Sequence, residues 1–300
     1  MPAAILSLLD LKSLSSDQIQ FLFSRAMALA QTPEAPLFKG ETAALLFFEP
    51  STRTRFSFES AAFRMGLGPL VLDGIQGTSL EKGETLEDTV LNVAAMQPRV
   101  LVIRAGDEFP MQQLANELAI PIVNAGWGMR GHPTQALLDA LTLKQEFNDL
   151  DRLKVLFVGD IRHSRVVASH FEILEKLGAE VGLSGPEEFL VDRSGTSLFR
   201  RLEEGLEWCD AVISLRVQFE RHGQRLSFSP DDYRINFGIN RHRLRHLRSK
   251  GIIMHPGPIN YGIELEKEIM HDSRVRVLKQ VSNGVLMREA LLRSLLEGRL

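Results

Sequence analysis

Short apolar runs of strand length alternate with longer helix-like stretches along this chain, and the rhythm starts twice. Residues 43–48, 70–72, 100–103 and 120–123 read as buried strands, separated by amphipathic segments such as 84–96 and 111–118. After a polar stretch, 146–152, strands resume at 154–158, 180–183, 211–215 and 251–254. Repeated βα units imply a parallel sheet covered by helices on both faces. A chain of 300 residues suits two domains of roughly 150 each. The expected fold class is therefore α/β, two doubly wound parallel-sheet domains joined by interdomain helices. The boundary falls in a helix starting near Pro133, which assigns residues 1–142 to the first domain and 143–282 to the second. A final helix over about 283–297 packs back on the first domain. Another helix opens the chain, because Ser15-Ser16-Asp17-Gln18 has the pattern of a capping box ahead of the apolar-periodic residues 19–30.

Between the run 43–48 and the helix-like stretch 56–65 lies Glu49-Pro50-Ser51-Thr52-Arg53-Thr54-Arg55. Ser51 can serve as N-cap, which leaves the backbone N–H groups of the first turn pointing outward at the positive end of the helix dipole. Arg53 and Arg55 add fork-shaped charges, and the hydroxyls of Ser51, Thr52 and Thr54 add short-range donors. The segment reads as a phosphate site; the plainer alternative is a capped helix with solvated arginines. Ligands gather at the carboxyl ends of parallel strands, and this motif and those that follow come just after expected strands.

Composition narrows the classes. A net charge of −3 and a pI near 6.3 argue against a general nucleic-acid binder or a protein of anionic membranes. The single cysteine, Cys209, excludes an intramolecular disulfide. No apolar run approaches the roughly 18 to 20 residues that span a bilayer. The opening residues 1–5 lack a basic n-region and a long apolar core, so a signal peptide is not expected and a cytoplasmic location is. Gly126, Gly128 and Gly131 form a G-x-G-x-x-G pattern, but the expected helix begins only at Pro133 and position 146 lies near its end. A dinucleotide fingerprint needs the helix to start inside the glycines and a carboxylate at the next strand tip, so the reading preferred is a tight loop that aims His132. His242 and His246 have helical metal-ligand spacing, yet Arg241, Arg243, Arg245 and Arg248 surround them and repel a cation. They read as a solvated basic helix face, with nucleic acid or an acidic partner as the alternatives. No metal and no cofactor is expected.

The stretch Phe47-Phe48-Glu49-Pro50-Ser51-Thr52-Arg53-Thr54-Arg55, with Phe58-Glu59 and Ala61 after it, resembles the carbamoyl-phosphate loop of the aspartate and ornithine carbamoyltransferases. His132-Pro133-Thr134-Gln135-Ala136-Leu137-Leu138-Asp139 resembles the same family's second signature, in the same order and spacing. Lys82-Gly83-Glu84-Thr85, Val158-Gly159-Asp160 with His163-Ser164-Arg165, Arg216-Val217-Gln218, and His255-Pro256-Gly257-Pro258 extend the likeness over nearly the whole chain.

The resemblance implies transfer of a carbamoyl group from carbamoyl phosphate to an amine through a tetrahedral oxyanion, a task of positioning and electrostatic preorganisation. It implies that Ser51, Thr52, Arg53 and Thr54 hold the phosphate and that Thr54, Arg104 and His132 reach the carbonyl oxygen. It implies that Gln135 accepts from the carbamoyl NH₂. His132 ahead of Pro133 lies near a positive helix end that disfavours imidazolium, so a neutral donor is expected; a simple capping device is the alternative. Arg104 by itself would read as a surface charge. Arg165, Arg216 and Gln218 are the implied acceptor-binding residues, and two guanidiniums suit a dicarboxylic acceptor such as L-aspartate. An ornithine enzyme would need an anion for the substrate's ammonium, and the fourth signature here lacks the cysteine typical of the ornithine branch. Backbone carbonyls around Gly257 and Pro258 would orient the attacking amine. By the same resemblance, the loop carrying Ser79 and Lys82 reaches a neighbouring subunit's site in a homotrimer, where Lys82 contacts both ligands. The expected product is N-carbamoyl-L-aspartate, formed in pyrimidine biosynthesis. Regulatory or dihydroorotase chains are possible partners. Ala105 and Tyr261 depart from the His and Arg that many relatives carry, a change in what supports Arg104 and the loop after Pro258. A carbamoyltransferase for another amino acid and a catalytically silent paralogue acting as a scaffold stay open as alternatives.

Overall fold

The computed structural model describes residues 7–219 and 226–300, so the reading of residues 1–5 lies outside the described residues. The chain divides into two compact units. One comprises the residues up to Leu141, with Ala168–Glu172 and Val281–Leu300; the other is Thr142–Val167 with Ile173–Gln280.

In the first unit, β1 (Thr42–Phe47), β2 (Gly68–Asp73), β3 (Val100–Ala105) and β4 (Ile122–Trp127) form a sheet in the order β2-β1-β3-β4, every pair parallel. The helix α1 (Ser16–Gln31) opens on the expected capping box. Ser15 Oγ accepts from Gln18 N–H at 3.2 Å, and Gln18 Oε1 accepts from Ser15 N–H at 2.8 Å. The helices α2 (Thr52–Met65), α3 (Leu86–Ala94) and α4 (Met111–Glu117) connect the strands. Leu46, Phe48, Leu101, Ile103, Phe109 and Trp127 pack into one buried cluster. Burial of each such side chain is worth about 1.5–3 kcal/mol, enough in sum to fix the strand ends that carry the polar loops. The sequence reading took 70–72 as buried, but β2 is an edge strand bonded only to β1, with Leu70 41% and Val71 43% exposed.

In the second unit, β5 (Lys154–Val158), β6 (Glu180–Ser184), β7 (Thr196–Phe199), β8 (Ala211–Ser214) and β9 (Ile252–Met254) form a parallel sheet in the order β7-β6-β5-β8-β9. The edge strand β7 was not anticipated, because four residues beginning Thr-Ser carry no apolar run. The helices α6 (Arg165–Lys176), α7 (Leu202–Trp208) and α8 (Pro230–Phe237) complete this part. A Cβ at Gly205 of α7 would meet Leu156 Cδ2 at 2.9 Å, so the helix sits this close to β5 only because the residue is glycine.

The chain leaves the first unit along α5 (Pro133–Phe147) and re-enters it along α9 (Val277–Leu296). In each sheet the connections reverse direction at the centre, between β1 and β3 and between β5 and β8. Such switch points leave a crevice at the carboxyl ends of the strands, and the motifs of the sequence lie there.

Candidate active site

β1 runs through Glu49 and Pro50 into α2, with Ser51 at the N-cap position. The Ser51 side chain makes no capping hydrogen bond. This corrects the expected cap: its hydroxyl does not occupy the first-turn N–H groups, which remain donors at the positive end of α2. Thr52 and Arg53 are exposed, and Thr54 is buried. Arg55 does not join them. Its guanidinium is paired with Asp73 and, at 3.2 Å, with Glu59 one turn further on. Residues two apart on a helix do not share a face, so Arg53 and Arg55 cannot serve one anion.

β4 leads through the glycine loop to His132 and α5. The turn closes by Trp127 N–H donating to Gly131 O at 3.0 Å, and Gly126 N–H donates to Asn124 Oδ1 at 2.7 Å. Gly131 has φ +153°, and a Cβ there would lie 2.8 Å from Ser169 Oγ. That hydroxyl accepts the His132 backbone N–H at 2.9 Å, so the glycine gives α6 room to brace His132. The helix starts at Pro133, after the last glycine.

Thr54 Oγ1 lies 3.5 Å from His132 Nε2, and both residues are buried. The N-terminal ends of α2 and α5 therefore meet, and both helix ends favour an anion. Arg104 lies on β3, between β1 and β4, opposite Phe47 in register. Its Nη1 donates to Ala125 O at 3.2 Å, and its Nη2 is 3.8 Å from Glu49 Oε2. Gln135 is buried in the first turn of α5, its Nε2 donating to Asp139 Oδ1 at 3.0 Å. Lys82 ends an exposed turn of 3₁₀-helix, Ser79–Lys82. Among the described residues no ion pair engages it, and the structure brings it to none of the residues just named.

In the second unit, Arg165 is the first residue of α6, after the N-cap Ser164, whose hydroxyl accepts from Val167 N–H at 3.4 Å. The preceding turn is held by Asp160 Oδ1, which accepts the His163 N–H at 3.1 Å and lies 2.9 Å from its Nδ1. Arg216 and Gln218, half-buried, flank Val217 just after β8. Val217 N–H donates to Glu264 Oε1 at 2.9 Å, and Val217 O accepts from Asn260 Nδ2 at 3.1 Å. The fully buried Glu264 also accepts Asn260 N–H at 2.6 Å and Asn260 Nδ2–H at 2.9 Å. Gly257 N–H donates to His255 Nδ1 at 2.8 Å, and His255 N–H to Gln280 Oε1 at 2.9 Å. The Gly257–Pro258 bond is cis. One carboxylate thus ties the segment carrying Arg216 and Gln218 to the loop carrying Gly257 and Pro258. Burial, with the Glu264 and Asp160 carboxylates adding to it, pushes the Tyr233 hydroxyl well above its ordinary pKa. Sequence reasoning missed Glu264, Asn260 and Gln280, which carry no motif.

The basic segment keeps Arg241, His242, Arg245 and Arg248 exposed, as a solvated face would, but it is not the helix expected. Only Arg243–Arg245 is helical, as a 3₁₀ turn. Arg243 donates to Glu203 at 2.8 Å and to the carbonyls of Gly238 and Ile235 at 2.7 and 2.6 Å; Arg248 donates to Asp210 at 2.6 Å; His246 lies 2.7 Å from Glu207. Arg243, His246 and Arg248 are thus engaged by α7 and the residues after it, whereas Arg241, His242 and Arg245 are exposed. Burial pushes the Cys209 thiol up to about 12, an inert group. Among the described residues no cluster of three or more His, Cys, Asp or Glu could hold a metal, and no helix is long and apolar enough to cross a membrane.

Comparison with known proteins adds names to this geometry. Residues 7–145 match the family "Aspartate/ornithine carbamoyltransferase, carbamoyl-P binding domain", and residues 151–295 match "Aspartate/ornithine carbamoyltransferase, Asp/Orn binding domain". The chain is 39% identical to an aspartate carbamoyltransferase catalytic subunit of Pelobacter propionicus, over 98% of this chain and 97% of that one. It is similar to the crystal structure of aspartate transcarbamoylase from Trypanosoma cruzi in complex with carbamoyl phosphate, with a TM-score of 0.87, 28% identity, and coverage of 97% and 95%. It is also similar to ornithine carbamoyltransferase from Thermus thermophilus, with a TM-score of 0.84, 29% identity, and coverage of 97% and 98%.

Proposed function

Since the chain belongs to the aspartate/ornithine carbamoyltransferase family, we propose that it transfers the carbamoyl group of carbamoyl phosphate to the amine of L-aspartate. The products are N-carbamoyl-L-aspartate and phosphate, and the step belongs to pyrimidine biosynthesis. The observation that supports this reading is the 3.5 Å approach of Thr54 Oγ1 to His132 Nε2 at the starts of α2 and α5, with Arg104 on β3, the strand between β1 and β4. Fold similarity extends to enzymes of both acceptors, so the acceptor is argued from residues. Arg165 and Arg216 offer two forks for two carboxylates, and the relative from Pelobacter propionicus is an aspartate enzyme.

In this reading the first unit, expected from sequence to span residues 1–142, takes carbamoyl phosphate, and the second, 143–282, takes aspartate. Ser51, Thr52, Arg53 and the N–H groups of α2 hold the phosphate. The amine lone pair attacks the carbonyl carbon, a C–N bond forms, and the carbonyl oxygen becomes an oxyanion facing Thr54 Oγ1–H, the Arg104 guanidinium and an imidazole N–H of His132. Collapse breaks the bond to the phosphate oxygen, and the amine proton departs with the phosphate. Preorganised donors of this kind are each worth about 10²–10³ in rate. Gln135 accepts from the carbamoyl NH₂. Arg165, Arg216 and Gln218 hold the acceptor's carboxylates, and the backbone around Gly257 and Pro258 orients its amine.

A homotrimer with shared sites is part of the proposal. Phe56 and Phe63 of α2, Leu70 and Val71 of the edge strand β2, and Met96 are large apolar side chains left exposed on the first unit, which a second copy of the chain could cover. Lys82 would act on a neighbour's ligands. A cytoplasmic location fits the reduced, buried Cys209. The deciding experiment measures phosphate release from carbamoyl phosphate by the purified chain, with and without L-aspartate. Release that depends on aspartate supports the reading; a silent scaffold gives none.

A further inference from the structure

Asp139 and His170 are fully buried, and no step above uses them. They stand directly behind residues that do act. Gln135 Nε2 donates to Asp139 Oδ1 at 3.0 Å, and Asp139 Oδ2 lies 3.0 Å from His170 Nε2. His170 follows Ser169, whose hydroxyl accepts the His132 N–H. Arg288 of α9 reaches the same turn, with Nη2 at 3.4 Å from Thr134 Oγ1 and Nη1 bonded to Ser57.

A carboxylate only accepts, whereas a carboxamide has a donating end and an accepting end. Asp139 therefore decides which end of Gln135 turns inward: the NH₂ faces the carboxylate, and Oε1 is left for a ligand. Rotating the amide would press Oε1 against a buried carboxylate, two acceptors in contact without water. The His170 ring stands against the second carboxylate oxygen at 3.0 Å and so restricts rotation of the group that meets Gln135.

We propose that Asp139, backed by His170, is a positioning residue that holds the Gln135 amide oxygen outward and thereby selects an acyl phosphate bearing NH₂ on its carbonyl carbon over one bearing CH₃. The inference rests on the reading of Gln135 as part of the carbamoyl-phosphate site. A carbamoyl group gives Oε1 an N–H to accept from, and an acetyl group gives it none. A rotated amide would set NH₂ against NH₂ and remove the preference.

The test compares kcat/KM for carbamoyl phosphate and for acetyl phosphate at saturating aspartate. The proteins are the wild-type chain, Asp139→Asn, His170→Leu and the double variant Gln135→Glu with Asp139→Asn. Asparagine can meet either end of the Gln135 amide, so Asp139→Asn should lower kcat/KM for carbamoyl phosphate roughly 10-fold, the order of one hydrogen bond, and leave the acetyl phosphate value within about twofold. His170→Leu should shift the ratio the same way by less. The double variant should regain the preference, because the carboxylate at 135 has only acceptors to offer and the amide at 139 donates to it. Equal losses for both donors, or an unchanged ratio in Asp139→Asn and His170→Leu, would overturn the inference. Should Asp139→Asn fail to fold, His170→Leu and the double variant decide it. A wild-type chain that transfers nothing from carbamoyl phosphate brings down the functional reading and the inference with it, before any variant is compared.

Discussion

Thr54 Oγ1 and His132 Nε2 lie 3.5 Å apart although 78 positions separate them in sequence. The contact joins the first turn of α2, after β1, to the start of α5, after β4. Two helix N-termini and their side-chain donors converge on one place, which is the arrangement a phosphorylated carbonyl donor needs.

Arg53 is exposed in the first turn of α2, whereas Arg55 is held by Asp73 and Glu59. Arg53→Ala should leave thermal stability within about 0.5 kcal/mol, as surface substitutions do, and lower kcat by about 10²–10³. Arg55→Ala should cost far less activity. Steady-state rates and melting curves on both variants check this; a more severe loss at Arg55 would reverse the assignment.

Much of this was legible in the sequence because it is local. The βα rhythm, the Ser15 to Gln18 capping box and the polar loop between β1 and α2 rest on neighbours along the chain. Arg55 was read with Arg53 as part of the phosphate site, because the motif does not show that Asp73 and Glu59 hold its guanidinium. Other features depend on distant partners. Glu264 bonds Val217 across 47 positions, with nothing in its own surroundings to mark it. The arginines around residue 245 looked like an uncompensated cluster because Glu203, Glu207 and Asp210 lie about 40 positions away. The exposure of β2 was hidden because an apolar strand at a sheet edge has the same composition as one in a core. α2 starts at Thr52, as the N-cap reading of Ser51 implied, although its apolar periodicity begins only near residue 56.

Lys82 is exposed and without an ion-pair partner among the described residues. Inactive Arg53→Ala and inactive Lys82→Ala chains, unfolded together and reassembled, should recover part of the activity, since some mixed sites carry neither lesion. Native mass spectrometry would confirm mixing. Mixed oligomers that remain inactive would mean that Lys82 serves its own chain or serves no catalytic role.

Arg216 and Gln218 are set by the clamp of Glu264 and Asn260 on Val217. A hydrogen bond to a charged group is worth about 1.5–3 kcal/mol, so losing a bidentate grip in Arg216→Ala should lower kcat/KM for aspartate by roughly 10²–10⁴. Glu264→Gln should weaken aspartate use in the same direction by less and also lower the melting temperature, because one acceptor is lost from a buried network. Carbamoyl phosphate binding, measured by calorimetry without aspartate, should be unchanged in both. A collapse of donor binding instead would show that the two substrates are assigned to the wrong units.

Arg274 donates to both oxygens of Asp272 at 3.0 Å, and this holds the carboxyl at about 2, below the ordinary range of an aspartate. The folded pKa lies below the unfolded one, so the pair stabilises the fold above about pH 4 and that contribution fades as pH falls toward 2. Melting temperatures of the wild type and Asp272→Asn should differ near neutrality and converge in that acid window. A difference that stays constant through the window would show that the pair adds nothing through its charge.

The most direct measurement offers the purified chain carbamoyl phosphate with equal concentrations of L-aspartate and L-ornithine and identifies the products by mass spectrometry. The account predicts N-carbamoyl-L-aspartate as the dominant product, with one phosphate released for each carbamoyl group transferred. Citrulline as the main product, or no carbamoylated amino acid at all, would contradict it.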